Sequence, residues 1–329
     1  MRKIFSLAFL LLLTIFSTSI FGAADWKGPK LNGPPSGANM LGNGPDSSKI
    51  KTKYLEVPYV EKGVESQKLD IYIPNEGKGP FPVIIAIHGG AFFGGDKYDA
   101  QLDGPFEGVQ RGYAVVSINY RLSPEAKWPA QINDVKAAIK FLRVNAKKYN
   151  LNSDKFGIWG TSAGGNLAAL AGVTPGVTEL EDVSLGNIGV STKIQAVVTL
   201  FPAIDFLKMD EQWEEVHMNG EKHSTIDSFE SYLMREQITK IPDLVKATNP
   251  ENYVNPFSPP HFIQSGTLDE TLPCVQAKNY ADKLRTVLPS DKVQFEYLVG
   301  AKHGHGQKDF FESQANQEKI FKFLDKYLK

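Results

Sequence analysis

A serine at the centre of a glycine-bounded pentapeptide is the residue with the clearest chemical potential in this 329-residue chain. The pentapeptide, 160–164, is Gly-Thr-Ser-Ala-Gly, with Ser162 in the middle. An apolar run at 156–159 precedes it and small apolar residues follow to 171, a pattern that predicts a strand, a tight turn and a buried helix. Such a turn projects the hydroxyl above a sheet edge, with the helix amides aimed at the reacting oxygen. We therefore predict that Ser162 is the nucleophile of an acyl transfer.

A second motif supplies candidate donors for the negative charge that this chemistry develops. His88, two glycines and Ala91 directly follow an apolar run. Small residues let a backbone approach an oxyanion closely. We expect the donors to be the amides of Gly90 and Ala91, with Gly89 as an alternative, together with Ala163 after the nucleophile. His88 is expected to order this loop by hydrogen bonding.

A nucleophilic serine needs a base, and the base needs a carboxylate that orients it. His303 lies in a glycine-rich segment after the last apolar run, and we expect it to be the base, with His305 as the alternative. Asp269, which follows the preceding apolar run, is the expected acid. Glu270 and Asp205 are its alternatives. The order serine, acid, histidine is the one known for strand–turn–helix nucleophiles.

Alternating strands and helices must position these groups. Apolar runs predict strands buried on both faces at 83–87, 113–118, 156–159, 196–200, 261–263 and 293–298. Helical periodicity is found at 130–149, 162–171, 275–288 and 308–328. This alternation predicts the α/β class, with a mostly parallel, doubly wound sheet. Before it, the alternating segments 54–59 and 69–73 predict an antiparallel, half-exposed pair of strands.

The chain divides into three segments by composition, the last of which contains an insertion. A basic start, an apolar stretch and small residues predict a signal peptide at 1–24, cleaved after Ala24, with a membrane anchor as the alternative. Residues 25–50 are rich in Gly, Pro and Asn and predict a flexible lead-in. Residues 51–329 form the predicted catalytic domain, in which polar residues 205–256 predict a small helical cap insertion. The expected location is therefore secreted or periplasmic, with no stable membrane span after cleavage.

Charge and cysteine content narrow the possible partners. The net charge is −1, which argues against nucleic acid as a partner. The single cysteine, Cys274, allows no internal disulfide and is expected to be a small buried apolar residue. Composition does not indicate an oligomeric state.

The segment 120–131, Tyr-Arg-Leu-Ser-Pro-Glu-Ala-Lys-Trp-Pro-Ala-Gln, followed by 134–138, resembles bacterial α/β-hydrolases of the acetyl-xylan and feruloyl esterase-like type, which are related to hormone-sensitive-lipase esterases. The resemblance runs from about residue 53 to the end of the chain, and the motifs occur in the family's order. It implies the α/β-hydrolase fold and a serine esterase that uses no metal and no organic cofactor. Two positions depart from the family pattern. Ala91 stands where a third glycine is frequent, and Lys302 where glycine is common.

These features together predict a secreted serine carboxylesterase for short-acyl esters. The resemblance suggests acetyl or feruloyl groups on plant polysaccharide as the substrate. Phe92 and Trp128 are expected to contact this small-molecule or polysaccharide ester, with packing in the core as their alternative role. Two other functions stay open at this point, a peptidase or amidase on the same fold and a non-catalytic binding protein on a hydrolase scaffold.

Overall fold

A computed structural model describes Gly28 and residues 42–329. Its strands are β1 Thr52–Pro58, β2 Lys68–Ile73, β3 Phe81–Ile87, β4 Ala114–Ile118, β5 Leu151–Thr161, β6 Ala196–Leu200, β7 His261–Gly266 and β8 Val293–Leu298. The α-helices are α1 Asp103–Phe106, α2 Ala130–Val144, α3 Ala163–Val173, α4 Met209–Glu215, α5 Phe229–Met234, α6 Pro242–Val245, α7 Val275–Arg285 and α8 Gln314–Leu328. Single turns of 3-10 helix lie between them, at Ala100–Leu102, Glu107–Arg111, Thr178–Leu180, Val183–Leu185, Ile238–Lys240, Lys246–Thr248, Pro250–Tyr253 and Ser290–Lys292.

The eight strands form one sheet in the order β1-β2-β4-β3-β5-β6-β7-β8. β4 and β3 are parallel, and so is each neighbouring pair from there to β8. Only the β1-β2 and β2-β4 pairings are antiparallel. Helices α2, α3 and α7 cover one face, while α8 and the segment around α1 cover the other. The predicted mostly parallel, doubly wound sheet is confirmed.

One prediction about the first two strands is wrong. β1 and β2 do pair antiparallel, but β2 is buried on both faces rather than half exposed. Leu69, Ile71 and Tyr72 are all 0% exposed. The reason is position, because β2 lies between β1 and β4 with packed layers above and below it. Of these two strands, it is β1, at the sheet's edge, that is partly open to solvent.

The predicted signal peptide, 1–24, lies outside the described residues, and so does most of the predicted lead-in. The described part of the lead-in, 42–50, contacts the loop after β3. The amide of Gly44 donates to the Tyr98 carbonyl at 3.1 Å, and the Tyr98 hydroxyl donates to the Pro45 carbonyl at 3.0 Å. Within the described residues no helix is both long and apolar enough to cross a bilayer.

The 205–256 segment contains α4, α5 and α6 with short 3-10 turns between them. It follows β6 and precedes β7, so it emerges at the carboxyl edge of the sheet, where α/β proteins bind ligands. Trp213 and Leu233 are buried within it, at 3% and 0% exposure. The segment is therefore a small, packed helical insertion at the edge where the chemical motifs lie.

Candidate active site

Ser162 occupies a strained turn between β5 and α3. Its backbone has φ 53° and ψ −121°, a conformation that a non-glycine residue adopts only when its surroundings enforce it. A Cβ on Gly160 would lie 2.1 Å from the Gly164 carbonyl oxygen, and one on Gly164 would lie 2.3 Å from the Ile87 carbonyl oxygen. Both positions therefore require glycine, which explains the spacing of the pentapeptide.

Ser162, His303 and Asp269 are joined by two hydrogen bonds. The Nε2 of His303 lies 3.0 Å from the Ser162 hydroxyl oxygen, and its Nδ1 lies 2.7 Å from Oδ2 of Asp269. The three residues follow β5, β8 and β7, whose carboxyl ends meet at one edge of the sheet. This is the geometry in which an imidazole can take a proton from a hydroxyl while a carboxylate holds the ring.

Backbone contacts hold the Asp269 and His303 loops together. The amide of Leu268 donates to the Ala301 carbonyl at 2.8 Å, and the amide of Gly300 donates to the Thr267 hydroxyl at 2.9 Å. The second carboxylate oxygen of Asp269 accepts two backbone amides, from Thr271 at 2.9 Å and Leu272 at 2.8 Å. Asp269 is 1% exposed, so the carboxylate has a single defined orientation.

The His303 ring packs against the ring of Phe201. The two ring centroids are 4.8 Å apart with an edge-on arrangement, and Phe201 in turn packs against Phe311 at 4.7 Å. This apolar support limits the rotation of the imidazole and leaves only 19% of its side chain exposed. Sequence inspection missed Phe201, because nothing in the residues around it signals a contact with a loop 100 positions away.

The alternative residues for base and acid have other partners. His305 pairs with Glu312, Nδ1 to Oε1 at 2.8 Å, and lies 3.8 Å from Asp103. Glu270 is exposed, and its backbone carbonyl accepts from the insertion. The Asp205 carboxylate accepts the amide of Leu207 at 3.1 Å, and burial raises its pKa. Within the described residues, His303 and Asp269 are therefore hydrogen-bonded to each other. His305, Glu270 and Asp205 make their bonds to other groups.

The loop after β3 turns back sharply beside Ser162. Gly90, Ala91 and Phe92 all have positive φ, at 106°, 54° and 58°. The amide of Gly89 donates to Oε1 of Gln101 at 2.8 Å, so it is already occupied. Among the described residues, no acceptor takes the amides of Gly90, Ala91 or the Ala163 that begins α3. The amides of Gly90, Ala91 and Ala163 are therefore available to bind an oxyanion.

His88 and Gln101 order this loop from behind. The His88 Nδ1 lies 2.8 Å from the Gly89 carbonyl oxygen, and its ring stacks on Tyr120 with centroids 4.6 Å apart. His88 is 4% exposed. Its contacts therefore match the ordering role expected from the sequence. Gln101 was not singled out from the sequence, because a lone glutamine twelve positions from the loop carries no pattern.

Phe92 and Trp128 are both placed in the core instead of on an open surface. They are 2% and 7% exposed. The Phe92 ring packs against Phe206 of the insertion at 5.9 Å, and the Trp128 amide donates to the Leu233 carbonyl at 3.2 Å. The sequence led us to expect that these two side chains contact the substrate. The structure instead buries both of them. The ring of Phe92 and the backbone of Trp128 thus attach the insertion to the domain, which the sequence could not reveal.

The insertion also contacts the loop after β3 and the loop that contains Asp269. Phe93, in the loop after β3, packs its ring against Phe229 of α5 with centroids 5.5 Å apart. On the other side, His223 lies 2.9 Å from both Glu230 and the Thr271 carbonyl, two residues beyond Asp269. Burial opposes the charged form of His223, but the Glu230 carboxylate, the Thr271 carbonyl and Asp210 together outweigh it, and the pKa of His223 is raised above its usual value. The insertion therefore braces the site from two sides.

The described residues contain no group of three or more His, Cys, Asp or Glu side chains arranged to hold a metal ion. Cys274 is buried, as its sequence setting indicated.

A family model described as BD-FAE matches residues 69–284, which is more than half of the chain. The esterase LipC of Mycobacterium tuberculosis is 28% identical over 92% of this chain and 70% of its own length. A truncated carbohydrate esterase from gut microbiota has a similar structure, with a TM-score of 0.74 at 33% identity over 86% of this chain and 98% of that one. A bifunctional GH43-CE protein of Bacteroides eggerthii gives a TM-score of 0.72 at 32% identity.

This last match covers 83% of the chain but only 35% of the longer Bacteroides protein. The predicted resemblance to α/β-hydrolase esterases and the predicted fold are both confirmed by these matches and by the sheet. The chain therefore belongs to the BD-FAE family of α/β-hydrolases, and it is a carboxylic ester hydrolase.

Proposed function

We propose that the chain is an exported serine esterase that removes short acyl groups, acetyl in the first place, from plant polysaccharide. The observation that carries the proposal is the pair of hydrogen bonds, 3.0 Å and 2.7 Å, that join Ser162, His303 and Asp269. The polysaccharide part is supported by the similarity to a carbohydrate esterase over almost the whole length of that protein. Export is supported by the sequence pattern of residues 1–24.

In the proposed first step, the Ser162 hydroxyl attacks the ester carbonyl carbon while Nε2 of His303 accepts its proton. Asp269 keeps the imidazole proton on Nδ1, so that Nε2 is the nitrogen with a free lone pair. The negative charge on the tetrahedral oxygen is bound by the free amides of Gly90, Ala91 and Ala163. When the tetrahedral intermediate collapses, the imidazolium donates its proton to the leaving sugar oxygen.

In the second step, water attacks the acyl-serine carbonyl and gives its proton to His303. The same three amides bind the second oxyanion. Collapse of this intermediate returns the proton to the Ser162 oxygen and releases the carboxylic acid. The cycle balances without a metal or an organic cofactor, because each proton taken by the imidazole is returned to an oxygen leaving group.

The preference for a short acyl group, acetyl in the first place, is carried over from the resemblance of the sequence to acetyl-xylan esterase-like hydrolases.

The proposal is tested by hydrolysis of p-nitrophenyl esters of increasing acyl length, followed by acetate release from acetylated xylan. We expect acetyl to be the best acyl group, and Ser162→Ala to lower kcat by roughly 10⁶-fold. His303→Ala should lose activity comparably, whereas the matched variant His305→Ala should keep kcat within a few-fold. If Ser162→Ala kept most of its activity, the proposed mechanism would be wrong. A preference for long acyl chains would indicate lipid esters as the substrate instead.

Export is tested separately. The full chain is expressed in a bacterial host, and the periplasmic and extracellular protein is sequenced from its N-terminus. We expect a mature chain that starts at Asp25. Recovery of the uncleaved chain with the membranes would favour the anchor alternative.

A further inference from the structure

Gln101, on the 3-10 turn Ala100–Leu102, connects the two loops that carry the free amides. Its Oε1 accepts the amide of Gly89 at 2.8 Å and the hydroxyl of Thr161 at 2.5 Å. Gly89 directly precedes the two amides of the β3 loop, and Thr161 directly precedes Ser162. One side-chain oxygen therefore sets the separation between the two halves of the oxyanion hole.

The orientation of the Gln101 amide is determined by Asp99. The Nε2 of Gln101 donates to Oδ2 of Asp99 at 3.0 Å, and its backbone amide donates to Oδ1 at 2.9 Å. Asp99 is 1% exposed. Because a carboxylate only accepts hydrogen bonds, the Gln101 NH₂ group must face Asp99, which leaves its oxygen facing Gly89 and Thr161.

The loop after β3 and the nucleophile turn are in close contact beside Gln101. A Cβ on Gly89 would lie 2.8 Å from the Thr161 carbonyl oxygen and 3.0 Å from Cβ of Ser162. The β3 loop therefore rests directly against the nucleophile turn. If the shared oxygen is removed, the hydrogen bonds that hold this contact are lost, and the amides of Gly90 and Ala91 shift relative to Ser162.

We propose that Gln101 is a positioning residue for the oxyanion hole, acting through Gly89 and Thr161 without touching the substrate. The inference rests on the proposed function. Loss of a single oxyanion donor costs about 10²–10³-fold in kcat, and misplacement by 1 Å costs about 10²-fold. Removing the Gln101 oxygen would displace the oxyanion-binding amides without deleting them. We therefore expect kcat to fall roughly 10- to 100-fold.

The test uses Gln101→Met, which keeps the side-chain volume but removes the acceptor oxygen. Kinetics with p-nitrophenyl acetate should show kcat lowered roughly 10- to 100-fold and KM changed less than about threefold. The Ki of butaneboronic acid, which forms a tetrahedral adduct with the nucleophilic serine, should rise in the same proportion as kcat falls. Thr161→Val removes one of the two hydrogen bonds that the Gln101 oxygen accepts. It should lower kcat and weaken boronic acid binding by a smaller factor.

Gln195→Met is the matched control. The Gln195 oxygen also accepts a backbone amide, that of Phe156 at 2.8 Å, but Phe156 lies in the middle of β5, away from the end that carries Ser162. This variant should lower thermal stability without changing kcat or the boronic acid Ki.

Three outcomes are distinguishable. Lower kcat with matching weakening of boronate binding supports the positioning role. Wild-type kcat in a folded Gln101→Met protein, or a change confined to KM, overturns it. If that variant does not fold, Thr161→Val decides, and unchanged kcat there also overturns it. Absence of Ser162-dependent hydrolysis in the wild-type protein is a different result, because it rejects the proposed function itself.

Discussion

Replacing Asp269 by asparagine should leave the shape of the site intact and still disable it. The new amide must place either its oxygen or its NH₂ group against His303. The structure decides between them, because the other side of the group faces the backbone N–H of Thr271 and of Leu272, at 2.9 and 2.8 Å. Only the oxygen can accept those two hydrogen bonds. The NH₂ group therefore faces His303 and donates to Nδ1, which leaves the imidazole proton on Nε2.

An imidazole with its proton on Nε2 cannot accept the proton of Ser162. Returning the asparagine to the productive orientation would leave two buried backbone donors unsatisfied, at a cost of about 1–3 kcal/mol each. The total, about 2–6 kcal/mol, corresponds to a kcat loss between about 30-fold and about 3 × 10⁴-fold, with about 10³-fold as the central expectation. The loss of about 10⁴-fold seen for the same change in a serine protease triad falls within this range.

The assay is p-nitrophenyl acetate hydrolysis at saturating substrate, with circular dichroism to verify folding. Glu270→Gln and Asp205→Asn are the matched controls, since each converts a carboxylate to an amide near the same sheet edge. Both should keep kcat within a few-fold of wild type. If Asp269→Asn retained more than a tenth of the wild-type kcat, or if either control lost more than it does, the assignment of the acid would be wrong.

The remaining predictions concern stability. The raised pKa of His223 means that its pairing with Glu230 stabilises the fold fully below the usual histidine pKa, and that this is lost as pH rises through the raised pKa. The melting-temperature difference between wild type and His223→Gln should therefore be larger at pH 5.5 than at pH 9, and a constant difference would contradict the pairing. Gly160→Ala, whose Cβ would meet the Gly164 oxygen at 2.1 Å, should lose at least about 2 kcal/mol in urea unfolding.

Local patterns singled out three candidate residues that the structure brings together, and this has a physical reason. Ser162, Asp269 and His303 each follow a strand within a few residues, and parallel strands bring such positions to one edge whatever lies between them. The buried runs of β3 and β5 were equally evident, because strands covered on both faces contain few polar residues.

Contacts that depend on the packing of distant segments were not predictable in this way. The side-chain oxygen of Gln101 accepts hydrogen bonds from residues 12 and 60 positions away. A lone glutamine is part of no sequence pattern that could predict these bonds. Phe92 and Trp128 are aromatic residues close to the motifs, as residues of a binding surface often are. Only the structure shows that both are buried. The burial of β2 likewise depends on its neighbours in the sheet, which its own alternation does not specify.

The way the insertion is attached has a consequence for redesign of substrate choice. It is anchored through Phe93 on one side and the Thr271 carbonyl on the other, next to the loops of the oxyanion donors and of the acid. A segment exchanged from a relative in order to alter substrate choice would also change the support of both loops. Altered selectivity and altered turnover should therefore be inherited together, and grafts that retain these two anchor points are the ones with which to begin.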